Sequence, residues 1–245
     1  MGKKLRKQSS ESCVHRRVAR DLAVAILGGK FEPGSRLGGE LDLSKQLKVS
    51  RPAYREAIRI LAAKGLLEIQ PRTGTHIASR RHWNLMDVDV LAWMLEANPS
   101  DQWICDLFEL RMMMEPAAAA LAATRRTSRD LQRMGYELER MERSGLSTEE
   151  GQTADEEFHR MLLESAHNEP LTSLSTAITA AIRLTTSYKH AHGQSRDSIP
   201  EHRNLFDAVA EAHPNRARAA ATELVQHAYE DMCMSLPISN EASAA

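Results

Sequence analysis

Charge is divided so unevenly along this 245-residue chain that one uniform domain is excluded. Residues 1–83 hold 18 Lys/Arg against 7 Asp/Glu, a net of +11, while residues 84–245 hold 14 against 26, a net of −12. The overall formal charge of −1 is therefore an average over two parts that face different partners. With 42% hydrophobic residues the chain can bury a sizeable core, yet no apolar run approaches the length of about 18 residues needed to span a bilayer. The basic start, Lys3, Lys4, Arg6 and Lys7, is followed by the polar stretch Gln8 to Ser12 where an export signal would be apolar, so no membrane or export role is expected. Three cysteines, Cys13, Cys105 and Cys233, are far apart and in no C-x-x-C spacing; neither a disulfide framework nor a cysteine zinc site follows, and a reducing cytoplasm fits. Scarce Gly and Pro and only 4% aromatics favour helix over sheet.

In the basic third, Val18, Leu22 and Ile26 form one helical stripe ended by Gly28-Gly29, and Leu41, Leu43 and Leu47 mark a short second helix. Ser50 is a suitable N-cap for a third helix running to Gly65. On it Arg51, Arg55 and Arg59 recur at four-residue spacing on one face, and Ala57, Ile58 and Leu61 lie on another. Two β-compatible stretches, Leu66 to Gln70 and Thr75 to Ala78, flank the turn Pro71-Arg72-Thr73-Gly74 and predict a hairpin, or wing. Duplex DNA suits this layout. A helix fits the major groove, guanidinium forks such as those of Arg51 and Arg55 pair with guanine O6 and N7, and Arg72 at the hairpin tip reaches backbone or minor groove. A solvated arginine face on an ordinary helical domain is the plainer alternative.

The segment Pro33-Gly34-Ser35-Arg36-Leu37, then Leu43-Ser44, then Val49 to Leu61, then Lys64-Gly65-Leu66-Leu67 and Gly74, resembles the winged helix-turn-helix of the GntR superfamily. The resemblance implies that Ser50, Arg51, Pro52 and Arg55, with Arg72 and Gly74 of the wing, approach an operator. In some members of the FadR subgroup an arginine of the second helix also contacts DNA; the matching position here is Leu41.

The acidic two-thirds has no strand-like alternation of any length. Helices are expected at about 87–97, 101–124, 128–143, 148–166, 170–191, 200–212 and 215–235, with Thr127-x-x-Asp130 and Ser147-x-x-Glu150 as starting signals. Short turns between them make an antiparallel bundle. Asp155 and His159 share one helix face with Leu162 and Ala166, and His202 lies in line with Phe206 and Val209, so three polar groups point toward a core. A divalent metal such as zinc would satisfy them together; an Asp–His hydrogen bond with an unrelated His202 answers the same pattern.

Ala154-Asp155-x-x-Phe158-His159 and Glu201-His202-x-x-Leu205-x-Asp207-Ala208-Val209 resemble the FCD effector domain of the FadR subgroup, where an Asp and three His commonly hold a metal. The position expected for the third histidine is Leu224, and His227 lies three residues on. The same resemblance gives Arg111, in Arg111-x-x-x-Glu115-Pro116, as a partner for an effector carboxylate, with Arg183 as a further candidate. The junction Trp83 to Trp93, with His167-Asn168-x-Pro170-Leu171, is similar to the galactonate-operon repressor branch and implies an aldonate-like sugar-acid effector.

The expected protein is mainly α-helical: a basic disordered arm at 1–15, a winged helix-turn-helix at 16–79, a linker and connecting helix at 80–99, an all-helical effector domain at 100–236 and a disordered tail at 237–245. Its expected role is that of a cytoplasmic homodimeric repressor, released from double-stranded operator DNA by a small carboxylate or sugar acid. A metal-dependent hydrolase using Asp155, His159 and His202 is the competing expectation. The chain has no H-E-x-x-H, G-x-S-x-G, P-loop or G-x-G-x-x-G signature to support it.

Overall fold

The computed structural model describes residues 2–192 and 196–235, and the chain divides into two compact units, Met1–Pro99 and Ser100–Ala245. The expected tail at 237–245 lies outside the described residues.

The first unit opens with α1, Gly2–Leu27. Its first turns fall where a disordered arm was expected; no Gly or Pro interrupts the chain between Lys3 and Gly28, so nothing local stops the helix from extending toward the N-terminus. Val18, Ala19, Leu22, Ala23 and Ile26 are buried against α3, Arg51–Ala63, which follows the short α2, Glu40–Gln46. The hairpin pairs β1, Leu67–Gln70, antiparallel with β2, Gly74–Ile77, in the register Leu67 to Ile77 and Gln70 to Gly74. A third segment lines its outer edge: Leu37 N–H donates to the Thr75 carbonyl (2.9 Å) and Ile77 N–H to that of Ser35 (2.9 Å). Covering a free edge in this way leaves fewer unpaired backbone groups on the wing.

Residues 80–99, expected as a linker and connecting helix, pack into the same unit. A 3-10 turn at Arg80–His82 leads to Trp83, whose indole N–H donates to the Ala78 carbonyl (3.0 Å), and α4, Val88–Glu96, buries Val90 and Trp93 in the winged core. Lys64, at the end of α3, contacts Asp87 (2.6 Å) and Asp89 (2.7 Å) and lies over the Trp93 ring. Burial disfavours its ammonium, but the two carboxylates outweigh that and hold its pKa above the usual value.

The second unit is all helix among the described residues: α5, Asp101–Arg125; α6, Ser128–Ser144; α7, Glu149–Ser165; α8, Glu169–His192; α9, Ile199–Ala210; α10, Pro214–Ser235. α5 is the central element, packed against α7, α8, α9 and α10. It can be, because Ala118, Ala119, Ala122 and Ala123 are all fully buried and such small side chains let neighbouring helices come close. The last turn of α5 also caps two neighbours. Arg125 donates to the Ala166 carbonyl (3.1 Å) at the end of α7, and Arg126 to those of Val209 (3.0 Å) and Ala210 (2.9 Å) at the end of α9. Both arginines meet carbonyls at the C-terminal ends of helices, where the dipole favours a cation.

Helix starts follow their caps. Thr127 and Asp130 form a complete capping box for α6. The start of α7 differs from the expected Ser147 box: Thr148 is the cap and accepts from Gly151 N–H (3.0 Å). A Cβ on Gly151 would lie 1.9 Å from the Gly145 carbonyl oxygen, so the bare glycine lets the incoming loop fold over the first turn and shifts the cap by one residue. No helix among the described residues is long and apolar enough to cross a membrane.

Gly65 joins α3 to the wing with φ +74, and a Cβ there would stand 2.0 Å from the His82 carbonyl oxygen. Gly65→Ala is expected to destabilise the first unit by at least about 2 kcal/mol, measured as a fall in the urea midpoint; a change within about 0.5 kcal/mol would contradict the close approach.

Candidate functional site

Each unit carries one concentration of chemistry. In the first, Ser50 caps α3 by accepting from Ala53 N–H (3.3 Å), and Pro52 occupies the first turn, where its missing amide costs nothing. Ala53, Tyr54, Ala57, Ile58 and Leu61 are buried. Arg51, Arg55 and Arg59 stand on the opposite side with side chains 65%, 65% and 67% exposed. Ser50, Pro52 and, at the hairpin tip, Arg72 are exposed as well. Arg72 has φ +71 and Gly74 φ +100, and a Cβ on Gly74 would press on the Arg36 guanidinium at 3.2 Å. A hollow of about 340 Å3 between α3 and the hairpin is lined by Arg36, Glu40, Tyr54, Arg55, Arg59 and Gly74. Burial, aided by the Glu40 charge, pushes the Tyr54 phenol up to about 12, so it stays neutral there. Leu41 is half exposed on α2.

In the second unit five ionisable side chains meet in a nearly dry interior: Arg111 and Glu115 from α5, Asp155 and His159 from α7, and His202 from α9, each side chain at most 6% exposed. Asp155 Oδ1 lies 2.9 Å from His202 Nε2 and 3.7 Å from His159 Nε2, and the two Nε2 atoms are 3.4 Å apart. His202 Nδ1 lies 2.7 Å from the Ser198 carbonyl oxygen, and His159 Nδ1 is 2.9 Å from Glu115 Oε2. Glu115 Oε1 accepts from Arg111 Nε (2.7 Å), whose Nη1 donates to Thr185 Oγ1 (2.7 Å); Thr186 donates to Asp155 Oδ2 (3.3 Å). The edge-on ring of Phe158 packs against both imidazoles.

Both Nδ1 atoms face groups that only accept, and so does His202 Nε2, which lies against the Asp155 carboxylate. Two imidazole Nε2 atoms and a carboxylate oxygen converge, and a positive charge among them, carried by a proton or by a metal ion, suits the arrangement. Burial pushes both carboxyls up, but Arg111 and His159 hold Glu115 down at about 2, and the His202 contact with the nearby His159 and Arg111 holds Asp155 well below the usual range. Asp155, His159 and His202 offer three ligand atoms within 4.8 Å of one another, a group that could hold a metal ion, with the Glu115 carboxylate behind His159. The free space at the cluster is about 20 Å3, bordered also by Leu146, Ser198, Leu224 and Ala228, which is room for one ion or water.

Two of the expected residues do not join this cluster. His227 is one-third exposed and sits 3.0 Å from Glu201, while Leu224, three residues before it on α10, borders the cluster. Arg183 lies on the outer side of α8, 56% exposed and paired with Glu156 (3.1 Å), so it lines no cavity with Arg111. Glu115 is the group that sequence reasoning undervalued. Its i, i+4 pairing with Arg111 is visible in the chain, but its approach to His159 comes from the packing of α5 on α7 and leaves no trace in spacing.

Glu115→Leu would strand the Arg111 guanidinium in this interior and is expected to cost about 3–5 kcal/mol in urea unfolding. Adding Arg111→Met should recover much of that loss; equal costs for the single and double variants would refute the buried pair.

Known proteins resemble the chain in both units. Residues 15–77 match the family described as bacterial regulatory proteins, gntR family, and residues 106–227 match the FCD domain. The galactonate operon transcriptional repressor of Escherichia coli (strain K12) is 34% identical over 211 residues, covering 85% of this chain and 92% of its own. The HTH-type transcriptional regulator LutR of Bacillus subtilis (strain 168) is 29% identical over 201 residues, covering 80% and 90%. A solved structure of Lar, which controls the expression of the Listeria monocytogenes agr system, shares the fold with a TM-score of 0.59 at 20% identity, covering 89% and 97%. These relatives are regulators and not enzymes, which sets aside the hydrolase expectation. The chain therefore belongs to the gntR family of bacterial regulatory proteins and is a DNA-binding transcriptional regulator with a C-terminal FCD domain.

Proposed function

We propose that this regulator is a cytoplasmic homodimeric repressor whose α3 helices read two symmetry-related half-sites, and that a small hydroxy-carboxylate bound in the FCD unit releases it. Residues 16–79 are assigned as the DNA-binding domain and 100–236 as the effector domain. Ser50, Arg51, Pro52 and Arg55 approach the major groove, with Arg72 and Gly74 at the flanking backbone. The observation that carries this reading is the arginine face of α3, two-thirds exposed and opposite a buried aliphatic face, in the same unit as an exposed arginine at a hairpin tip.

In the FCD unit, Asp155, His159 and His202 are assigned as ligands of a divalent metal, zinc being suited to two nitrogens and one carboxylate oxygen. When bound, such an ion supplies a Lewis-acidic position for an effector carboxylate or hydroxyl. Glu115 and the Ser198 carbonyl face the Nδ1 atoms of the two imidazoles, and Arg111 supplies the positive charge that a carboxylate meets next to the cluster. Space of about 20 Å3 does not admit a sugar acid, so effector binding requires the surrounding helices to rearrange. That requirement gives the two ligation states different structures, which is what release from DNA needs. An aldonate is the effector favoured by the likeness to the galactonate operon repressor.

DNA reading is tested on a duplex selected by the wild-type protein from a random-sequence pool. Arg51→Ala and Arg55→Ala should each weaken binding to it by about 1–3 kcal/mol, with a smaller loss on a shuffled duplex; undiminished discrimination would reject their base-reading role. For the metal, elemental analysis of purified wild type should give about one ion per chain, lost in Asp155→Ala. A chelator should lower the wild-type melting temperature and leave that of the variant unchanged, whereas metal-free wild type with chelator-insensitive melting would remove the ion from the proposal.

A further inference from the structure

Glu40, the first residue of α2, lies beside the arginines of α3. Its Oε1 is 2.9 Å from Arg51 Nε and its Oε2 is 3.9 Å from Arg55 Nε, with its side chain one-third exposed. Arg59 has a separate partner, Glu56, at 3.3 Å. One carboxylate is thus shared by the two guanidiniums at the start of α3, and the local charge is +1 where the arginines alone would give +2.

The fold does not require this arrangement. Leu43 and Leu47 already pack against the winged core and Ser44 is buried, so α2 is anchored by its other face. Exposed ion pairs of this kind add little to stability. Their geometry matters for a different reason. Because Glu40 engages Arg51 through Nε, the edge formed by the two Nη atoms stays free, and that edge makes the paired contact to guanine O6 and N7.

We propose that Glu40 is a specificity-determining residue of the DNA interface, an inference that rests on α3 being the recognition helix. It restricts the guanidiniums of Arg51 and Arg55 to orientations that present their forks to base edges, and its negative charge opposes their collapse onto phosphates. Without it, two long cationic side chains are free to neutralise any backbone, and affinity for arbitrary sequence rises at the expense of discrimination. At the base edge a carboxylate accepts only. It therefore favours a base with an exocyclic amino group, cytosine or adenine, next to the guanine read by Arg51, and disfavours the carbonyl oxygens of guanine and thymine at that position.

The test compares wild type, Glu40→Ala, Glu40→Gln and Arg51→Ala on the duplex selected by the wild-type protein and on a shuffled duplex across a salt series. Both Glu40 variants should bind the shuffled duplex more tightly, reduce the ratio of selected to shuffled affinity roughly tenfold, and steepen the slope of log K against log salt on the shuffled duplex by about 0.9, one additional phosphate contact. Selection repeated with Glu40→Ala should lose the preference at one base pair per half-site. A ratio and slope equal to wild type in both variants overturns the proposal. So does weaker binding to both duplexes at an unchanged melting temperature, since the carboxylate would then support contact and not restrain it. Glu40→Gln keeps the side-chain shape and serves if the alanine variant fails to fold. Arg51→Ala separates the two levels: if it retains discrimination, the recognition-helix reading itself is wrong; if it loses discrimination while both Glu40 variants behave as wild type, only the present inference fails.

Discussion

Five ionisable groups buried together impose the strictest condition on this molecule. A charge taken out of water is tolerated only when partners replace its hydration, and the partners of Arg111, Glu115, Asp155, His159 and His202 come from four different helices once Thr185 and Thr186 are included. Helices α5, α7, α8 and α9 must therefore meet in one register. A sliding or rotation of any of them would leave a carboxylate or guanidinium unpaired in a nearly dry interior. The apolar core around Phe158, Leu162, Leu205 and Val209 favours packing in general, and the polar network selects one packing among those that the aliphatic side chains would allow.

The first unit treats charge in the opposite way. Its arginines are held at the surface by a helix whose other face is fully committed to the core, so that exposure is enforced by burial on the far side. Exposed guanidiniums retain most of their hydration and are free to exchange it for phosphate or base contacts. The carboxylates nearby, Glu40 and Glu56, are on the surface too and are displaced or retained according to what approaches. A buried network thus fixes one structure, whereas a surface network leaves alternatives to be chosen by a ligand.

Local signals were legible where the physics is local. The arginine and aliphatic faces of α3, the Ser50 cap, the hairpin across Pro71 to Gly74 and the approximate limits of α5 to α10 depend on spacing and on residues a few positions apart. Failures occurred where a distant segment decided. Ser147 has the composition of a cap, yet Thr148 takes the role because Gly151 admits the Gly145 carbonyl over the first turn. Residues 80–99, expected as a linker and connecting helix, do contain that helix, α4, but Trp83, Val90 and Trp93 enter the winged core and Asp87 and Asp89 meet Lys64. His227 and Arg183 have suitable chemistry but meet Glu201 and Glu156 instead of the cluster.

The order of residues alone determined the division into a basic and an acidic part, the helical character of both, the arginine ladder, and the i, i+4 pairs Arg111–Glu115 and Asp155–His159, because charge and periodicity are properties of neighbouring positions. Tertiary structure decided which of those groups share an interior: that His202 closes on Asp155, that Glu115 orients His159, and that Leu224 and not His227 borders the cluster. Such pairings depend on the rotation and offset of helices far apart in the chain, quantities set by the packing of whole faces and written in no single segment.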